Sequence, residues 1–125
     1  MEVQRAAKVL VQVPCKDEEE NIVNVIQSIR QVDSPFMEVD ILVIDDDSKD
    51  ATRNLAIGAG VDFVIHKNRH GGLANSFSLG TAFALANGYD VLVNTDGDNQ
   101  YPQERIPDLV RPIIEGKAEL VIGDR

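Results

Sequence analysis

Tyr89-Asp90-Val91-Leu92-Val93-Asn94-Thr95-Asp96-Gly97-Asp98-Asn99-Gln100-Tyr101-Pro102 is the stretch from which the rest of this 125-residue chain can be laid out. Val91, Leu92 and Val93 form a short apolar run that reads as a buried strand. Where the strand runs out, Asp96 and Asp98 share one side of an extended segment, because side chains two apart project to the same face. Two carboxylates held ~4 Å apart repel by about 4 kcal/mol at an effective dielectric near 20. A cation between them reverses that sign. Gly97 leaves room for a bulky ligand against the backbone, and residues 99–102 turn the chain into a helix. The stretch therefore reads as a strand delivering a metal site. The plainer alternative is a polar strand-to-helix turn, since Asp, Gly and Asn favour turns in any case.

The same pattern recurs outward from this point. Residues 9–13, 41–44, 62–65 and 120–122 are further short apolar runs, the first closed by Pro14, and their continuous character predicts strands covered on both faces. Between them, apolar residues return at helical spacing. Ile22, Val25, Ile26 and Ile29 form one stripe, and Leu55, Ala56 and Ala59 a second. Leu73, Phe77, Gly80, Thr81, Ala84 and Leu85 form a third, stopped by Asn87-Gly88, and Ile106, Leu109, Val110, Ile113 and Ile114 a fourth, with Pro112 predicting a kink. The acids of residues 17–20 suit the first turn of the first helix, and Ser48 or Asp50 the cap of the second. Five strands separated by four helices predict an α/β fold. The expected architecture is a Rossmann-like, doubly wound, mostly parallel sheet with helices on both faces, in one domain over residues 1–125.

Composition narrows the function. Twenty-one acidic against twelve basic residues give a net charge of −9, which argues against a nucleic-acid partner. The single cysteine, Cys15, excludes an internal disulfide and a multi-cysteine zinc site, and reads as a small apolar filler near a strand end. The chain has no run long enough to span a bilayer and its first residues carry no secretory pattern, so the expected location is cytoplasmic.

Ligands of doubly wound sheets bind beyond the carboxyl ends of the strands. The unusual polar clusters of this chain follow predicted strands: residues 14–18, 45–48, 66–72 and 96–100. The first of these, Pro14-Cys15-Lys16-Asp17-Glu18, lacks the Gly-X-Gly-X-X-Gly of a dinucleotide site. Its carboxylates suit the donor groups of a base or ribose, so a bound nucleotide would lie with its base near the first two strands and its phosphates near the fourth. A phospho-acceptor receiver domain would need its aspartate after the third strand, where His66 stands. A nucleotidyltransferase would carry a glycine-rich basic loop after the first.

Taken in order, Pro14 to Ile22, Asp45 to Thr52, Asn68 to Ala74 and Asp96-Gly97-Asp98-Asn99-Gln100 resemble the successive motifs of GT-A glycosyltransferases of family 2, closest in flavour to the dolichol-phosphate-mannose-synthase-like branch. The resemblance runs from about Val9 to Arg125 and implies the nucleotide-binding half of a GT-A fold. It also implies metal-dependent inverting transfer of a hexose from a GDP- or UDP-linked sugar, with a polyprenyl phosphate at a membrane surface as acceptor. Carried over by position, base and ribose contacts fall on Pro14, Asp17, Glu18, Asp45 and Asp46, and diphosphate or sugar contacts on Asn68 and Arg69. Asp96 and Gly97 face the donor. Asp98, with Asp96 and Gln100, would hold Mg2+ or Mn2+, which makes Asp98 the catalytic position. Lys16 stands where an aromatic residue is common, Asp17 where asparagine is usual, Asp47 where glycine is usual and Gly97 where alanine is usual. The family's base, where one is used, comes from a segment after the last strand seen here. The expectation is therefore a donor-binding part lacking the acceptor-binding part, which binds nucleotide sugar and transfers poorly alone. A module that holds nucleotide sugar without chemistry is the alternative.

Overall fold

The computed structural model describes residues 6–32, 34–69, 71–95, 103–114 and 121–122. Its strands are β1 (Ala7–Cys15), β2 (Met37–Asp45), β3 (Phe63–His66), β4 (Val91–Asn94) and β5 (Val121–Ile122). They form one sheet in the order β3-β2-β1-β4-β5, and every pairing is parallel. Val9, Leu10, Val11, Ile41, Leu42, Val43 and Ile44 have no exposed surface, as unbroken apolar strands require. The helices are α1 (Ile22–Arg30), α2 (Thr52–Gly58), α3 (Gly72–Ala86) and α4 (Ile106–Ile114), the last preceded by a 3-10 turn, Gln103–Arg105.

Side-chain alternation along β1 divides the helices between the two faces. Val9, Val11 and Val13 pack with Ile22, Val25, Ile26 and Ile29 of α1, Ala56 of α2, and Ile106 and Val110 of α4. Leu10, with Leu42 and Ile44, meets Leu79, Phe83 and Ala84 of α3 on the opposite face. The sheet is doubly wound, and α3 ends as expected: Gly88 takes φ +74° and the Tyr89 amide donates back to the Ala84 carbonyl at 3.1 Å.

Several expectations need correction. The first strand does not stop at Pro14 but runs through it to Cys15, pairing with Asp45 of β2. Within a strand, the N–H and C=O of one residue point to the same neighbour. The Gln12 carbonyl accepts from Thr95 on the β4 side, so Pro14, two residues on, turns its missing N–H toward β4 as well. The β1–β4 register ends at Gln12–Asn94 while β1–β2 continues to Cys15–Asp45. Pro14 thus ends pairing with β4 alone, at the point where the strand order reverses.

The acids of residues 17–20 precede α1 rather than enter it, because the helix begins at Ile22 with Asn21 as its cap. Leu55 and Leu85 are not core: they are 36% and 78% exposed. The third strand is shifted by one residue to include His66, which pairs with Asp45. α4 keeps Pro112 inside it, as expected, and Pro107 stands in its first turn, where a missing N–H costs no helical bond.

One contact inside the sheet was not foreseen. Gln12, fully buried in β1, donates from Nε2 to Asn94 Oδ1 at 2.6 Å and presses its Oε1 against Gly80 of α3. A Cβ on Gly80 would lie 1.3 Å from that oxygen. Glycine is therefore what allows α3 to close on the sheet over a polar side chain.

Candidate active site

Because all strands run in one direction, the loops after β1, β2 and β3 emerge on one edge, and Thr95 leads the chain out of β4 beside Gln12. Backbone and side chains zip the first two loops together. The Asp17 amide donates to Ser48 Oγ at 2.9 Å, and the Lys49 amide to Asp17 Oδ1 at 2.7 Å. The Glu18 amide donates to Thr52 Oγ1 at 2.8 Å, and the Glu19 amide to Asp50 Oδ2 at 3.2 Å. Lys16 Nζ reaches the carbonyls of Asp46 and Asp47 at 3.4 and 3.2 Å. Ser48 is thereby used on Asp17, while Asp50 serves the start of α2 by accepting from the Thr52 amide at 3.0 Å and from its hydroxyl.

Two of these positions adopt left-handed backbone, Asp17 at φ 53° and Asp47 at φ 59°. Asparagine and glycine are the residues that tolerate this region best, which gives a physical reason for their being usual at these two positions. Replacing Asp47 with glycine should remove the strain, losing only an exposed Lys49 contact of 3.2 Å. The expected gain is about 0.5–1 kcal/mol, read as a thermal midpoint higher by roughly 2–4 °C. An unchanged or lower midpoint would show that the left-handed turn costs nothing here.

The two aspartates closing β2 point to different partners. Asp45, 1% exposed, accepts from the Ser48 amide at Oδ1 (3.1 Å) and holds His66 Nδ1 at Oδ2 (2.9 Å). With His66, Asp50 and Arg53 it borders a polar cleft of about 220 Å³ on the α2 side of the loop. Asp46, 5% exposed, accepts from the Gly71 amide (2.8 Å) and the Gly72 amide (3.1 Å), with Lys67 Nζ 2.7 Å from Oδ1. Burial alone would raise the Asp46 carboxyl. The Lys67 ammonium and the two glycine amides outweigh it and hold the group well below its ordinary 3.8.

That depression has a sign. Asp46 contributes stability fully above the unfolded value near 4 and progressively less as pH falls toward the lower folded value. Urea midpoints of the native chain should therefore drop between pH 4 and pH 3 more steeply than those of Asp46→Asn. Parallel slopes would contradict the assignment.

Cys15 is buried at the end of β1, its Sγ 3.7 Å from the Ile44 carbonyl. Burial first, then the carboxylates of Asp45, Glu18, Asp50 and Asp46, push the thiol up, which disfavours the reactive thiolate at neutral pH. Asn68 and Arg69 are exposed at the same edge, Asp17 is exposed, Glu18 is half-buried, and Pro14 is buried in its strand. Asp96, Gly97, Asp98 and Gln100 lie outside the described residues, as does His70. Among the described residues, no three His, Cys, Asp or Glu side chains form a metal-holding group, and no helix is long and apolar enough to cross a membrane. Lys67 stands within the polar cluster of residues 66–72, whose local sequence gives no sign of its partner.

The sequence profile described as Glycosyl transferase family 2 matches residues 10–125. The chain belongs to that family. This family 2 chain is 32% identical over 122 residues to an undecaprenyl-phosphate mannosyltransferase of Micrococcus luteus, covering 94% of the chain and 48% of the relative. It is 30% identical over 128 residues to a polyprenol monophosphomannose synthase of Mycolicibacterium smegmatis, covering 98% and 47%. Its fold is that of the glucosyl-3-phosphoglycerate synthase from Mycobacterium tuberculosis crystallised with Mn2+, UDP-glucose and phosphoglyceric acid. The two superpose with a TM-score of 0.70 at 26% identity over 89% of this chain and 40% of that one. The chain spans about half the length of these relatives. The architecture is accordingly the Rossmann-like sheet of the GT-A glycosyltransferase fold.

Proposed function

We propose that this chain binds the donor in an inverting glycosyltransferase that moves a hexose from a nucleoside diphosphate sugar to a polyprenyl phosphate. The observation that carries this reading is the wall built by the loops after β1, β2 and β3 beside the β1/β4 reversal, on a fold shared with a UDP-glucose-binding enzyme. Asp17 and Glu18, two of the accessible acids of that wall, are suited to accept from base and ribose donors, with Pro14 contributing backbone and Asp45 and Asp46 shaping the pocket. Asn68 and Arg69 would meet the diphosphate or sugar, and Asp96 with Gly97 the sugar side.

Asp96, Asp98 and Gln100 offer oxygen donors only, a set that fits a hard divalent cation such as Mg2+ or Mn2+. Bound there, the cation would neutralise charge growing on the diphosphate leaving group. The protein's own part is alignment: two zipped loops hold the nucleotide at one end while the sugar is left facing the acceptor. A lipid phosphate is already anionic and needs no general base on this chain. Its lipid chain implies work at a membrane surface.

Calorimetric titration with UDP and GDP, each with and without Mn2+, tests this reading. Binding of one nucleotide that depends on the metal is expected; metal-independent binding, or none, overturns it. Turnover with a polyprenyl phosphate acceptor then separates transfer from the alternative, donor binding without chemistry.

A further inference from the structure

We propose that Lys67 is a positioning residue for the donor diphosphate, acting through the short arm that carries Asn68 and Arg69. The inference rests on the nucleotide-sugar reading above and adds to it a residue that touches no ligand. Both ends of the arm close on one carboxylate. At its start, the Lys67 amide donates to the Asp45 carbonyl at 2.9 Å, while Lys67 Nζ lies 2.7 Å from Asp46 Oδ1 and 3.3 Å from Ser76 Oγ of α3. At its end, the Gly71 and Gly72 amides donate to the same Asp46 carboxylate.

The fit is tight. A Cβ on Gly71 would lie 2.7 Å from Asn75 Oδ1 and 2.8 Å from Lys67 Nζ, and Gly72 holds φ +81°. The Lys67 and Asp46 side chains are 9% and 7% exposed, so the ammonium is committed to the pair and is not offered to a ligand. Arg69 and Asn68 are exposed between the two anchors, and among the described residues neither has a hydrogen-bond or ion-pair partner. A guanidinium presented this way suits bidentate contact with phosphate oxygens, and it serves only if its backbone is fixed. Asp46 on this view shapes the site through the arm, with both carboxylate oxygens engaged by protein donors.

The experiment is a double-mutant cycle on the full chain, titrated calorimetrically with UDP and with GDP in Mn2+. Arg69→Ala should weaken nucleotide binding about tenfold, and Lys67→Met by a similar factor. The double variant should bind no more weakly than either single one, because a displaced arm no longer presents Arg69. Lys67→Arg should recover part of the loss by rebinding Asp46, and hydrogen exchange at the Gly71 and Gly72 amides should quicken in Lys67→Met. If Lys67→Met fails to fold, Asp46→Asn takes its place in the cycle. Losses that multiply to about a hundredfold in the double variant, or native binding by Lys67→Met, overturn this inference while leaving the site reading intact. A native chain that binds neither nucleotide overturns the site reading and this inference together.

Discussion

Gly80→Ala is expected to destabilise the chain by about 3 kcal/mol, lowering the thermal midpoint by roughly 10 °C, the largest effect of any single methyl group added at a described glycine. The added Cβ would fall 1.3 Å from Gln12 Oε1 and 2.5 Å from its Cδ. Usually the far end of a flexible side chain swings aside at little cost. Gln12 cannot, because it has no exposed surface and its Nε2 is held by Asn94 Oδ1 at 2.6 Å. Either α3 lifts off Leu10, Leu42 and Ile44, or the buried amide loses its partner, and each route costs more than the methyl group returns. Urea denaturation of Gly80→Ala, Gln12→Ala and the double variant reads the coupling directly. Removing the amide should make room for the methyl, so the double variant should be more stable than the sum of the two single losses predicts. Additive losses would mean that helix and amide do not compete for that space.

The second large effect concerns binding. Asp98→Ala should weaken nucleoside diphosphate binding in Mn2+ at least about a hundredfold, with Asp96→Ala losing less, since a carboxylate that holds the cation also sets the sign of the field at the diphosphate. Without metal, the same substitution should leave the weak residual affinity unchanged or slightly raised, because it deletes one negative charge from a chain of net charge −9. Titrations in Mn2+ and in EDTA distinguish the two cases. An equal loss under both conditions would make Asp98 a direct nucleotide contact, and no loss under either would remove it from the site. Thermal midpoints in EDTA should not fall, which separates this outcome from simple unfolding.

These two positions differ in how they could be found. Asp98 stands out in the sequence because like charges two residues apart at a strand end read as a cation site. Gly80 read only as one small residue in a helical stripe, and Gln12 as one polar residue in an apolar strand. Neither names the other until α3 crosses β1. Asp46 is intermediate: its motif reads as part of a nucleotide site, but the sequence does not tell that Lys67 and the Gly71 and Gly72 amides engage it.

The chain's periodicities determined by themselves that five apolar strands alternate with four helices, that the sheet is parallel and doubly wound, and that the polar clusters after β1, β2 and β3 lie at one edge. Those properties follow from local burial preferences, which act between near neighbours and so are written in spacing. Only the tertiary structure decided that Pro14 ends pairing with β4 but not with β2, that Asp45 and Asp46 turn to His66 and to Lys67, and that Gln12 rests against Gly80. Each is a contact between residues far apart in the chain, selected when packing and hydrogen-bond satisfaction are resolved together, and no local pattern encodes which distant group will be there.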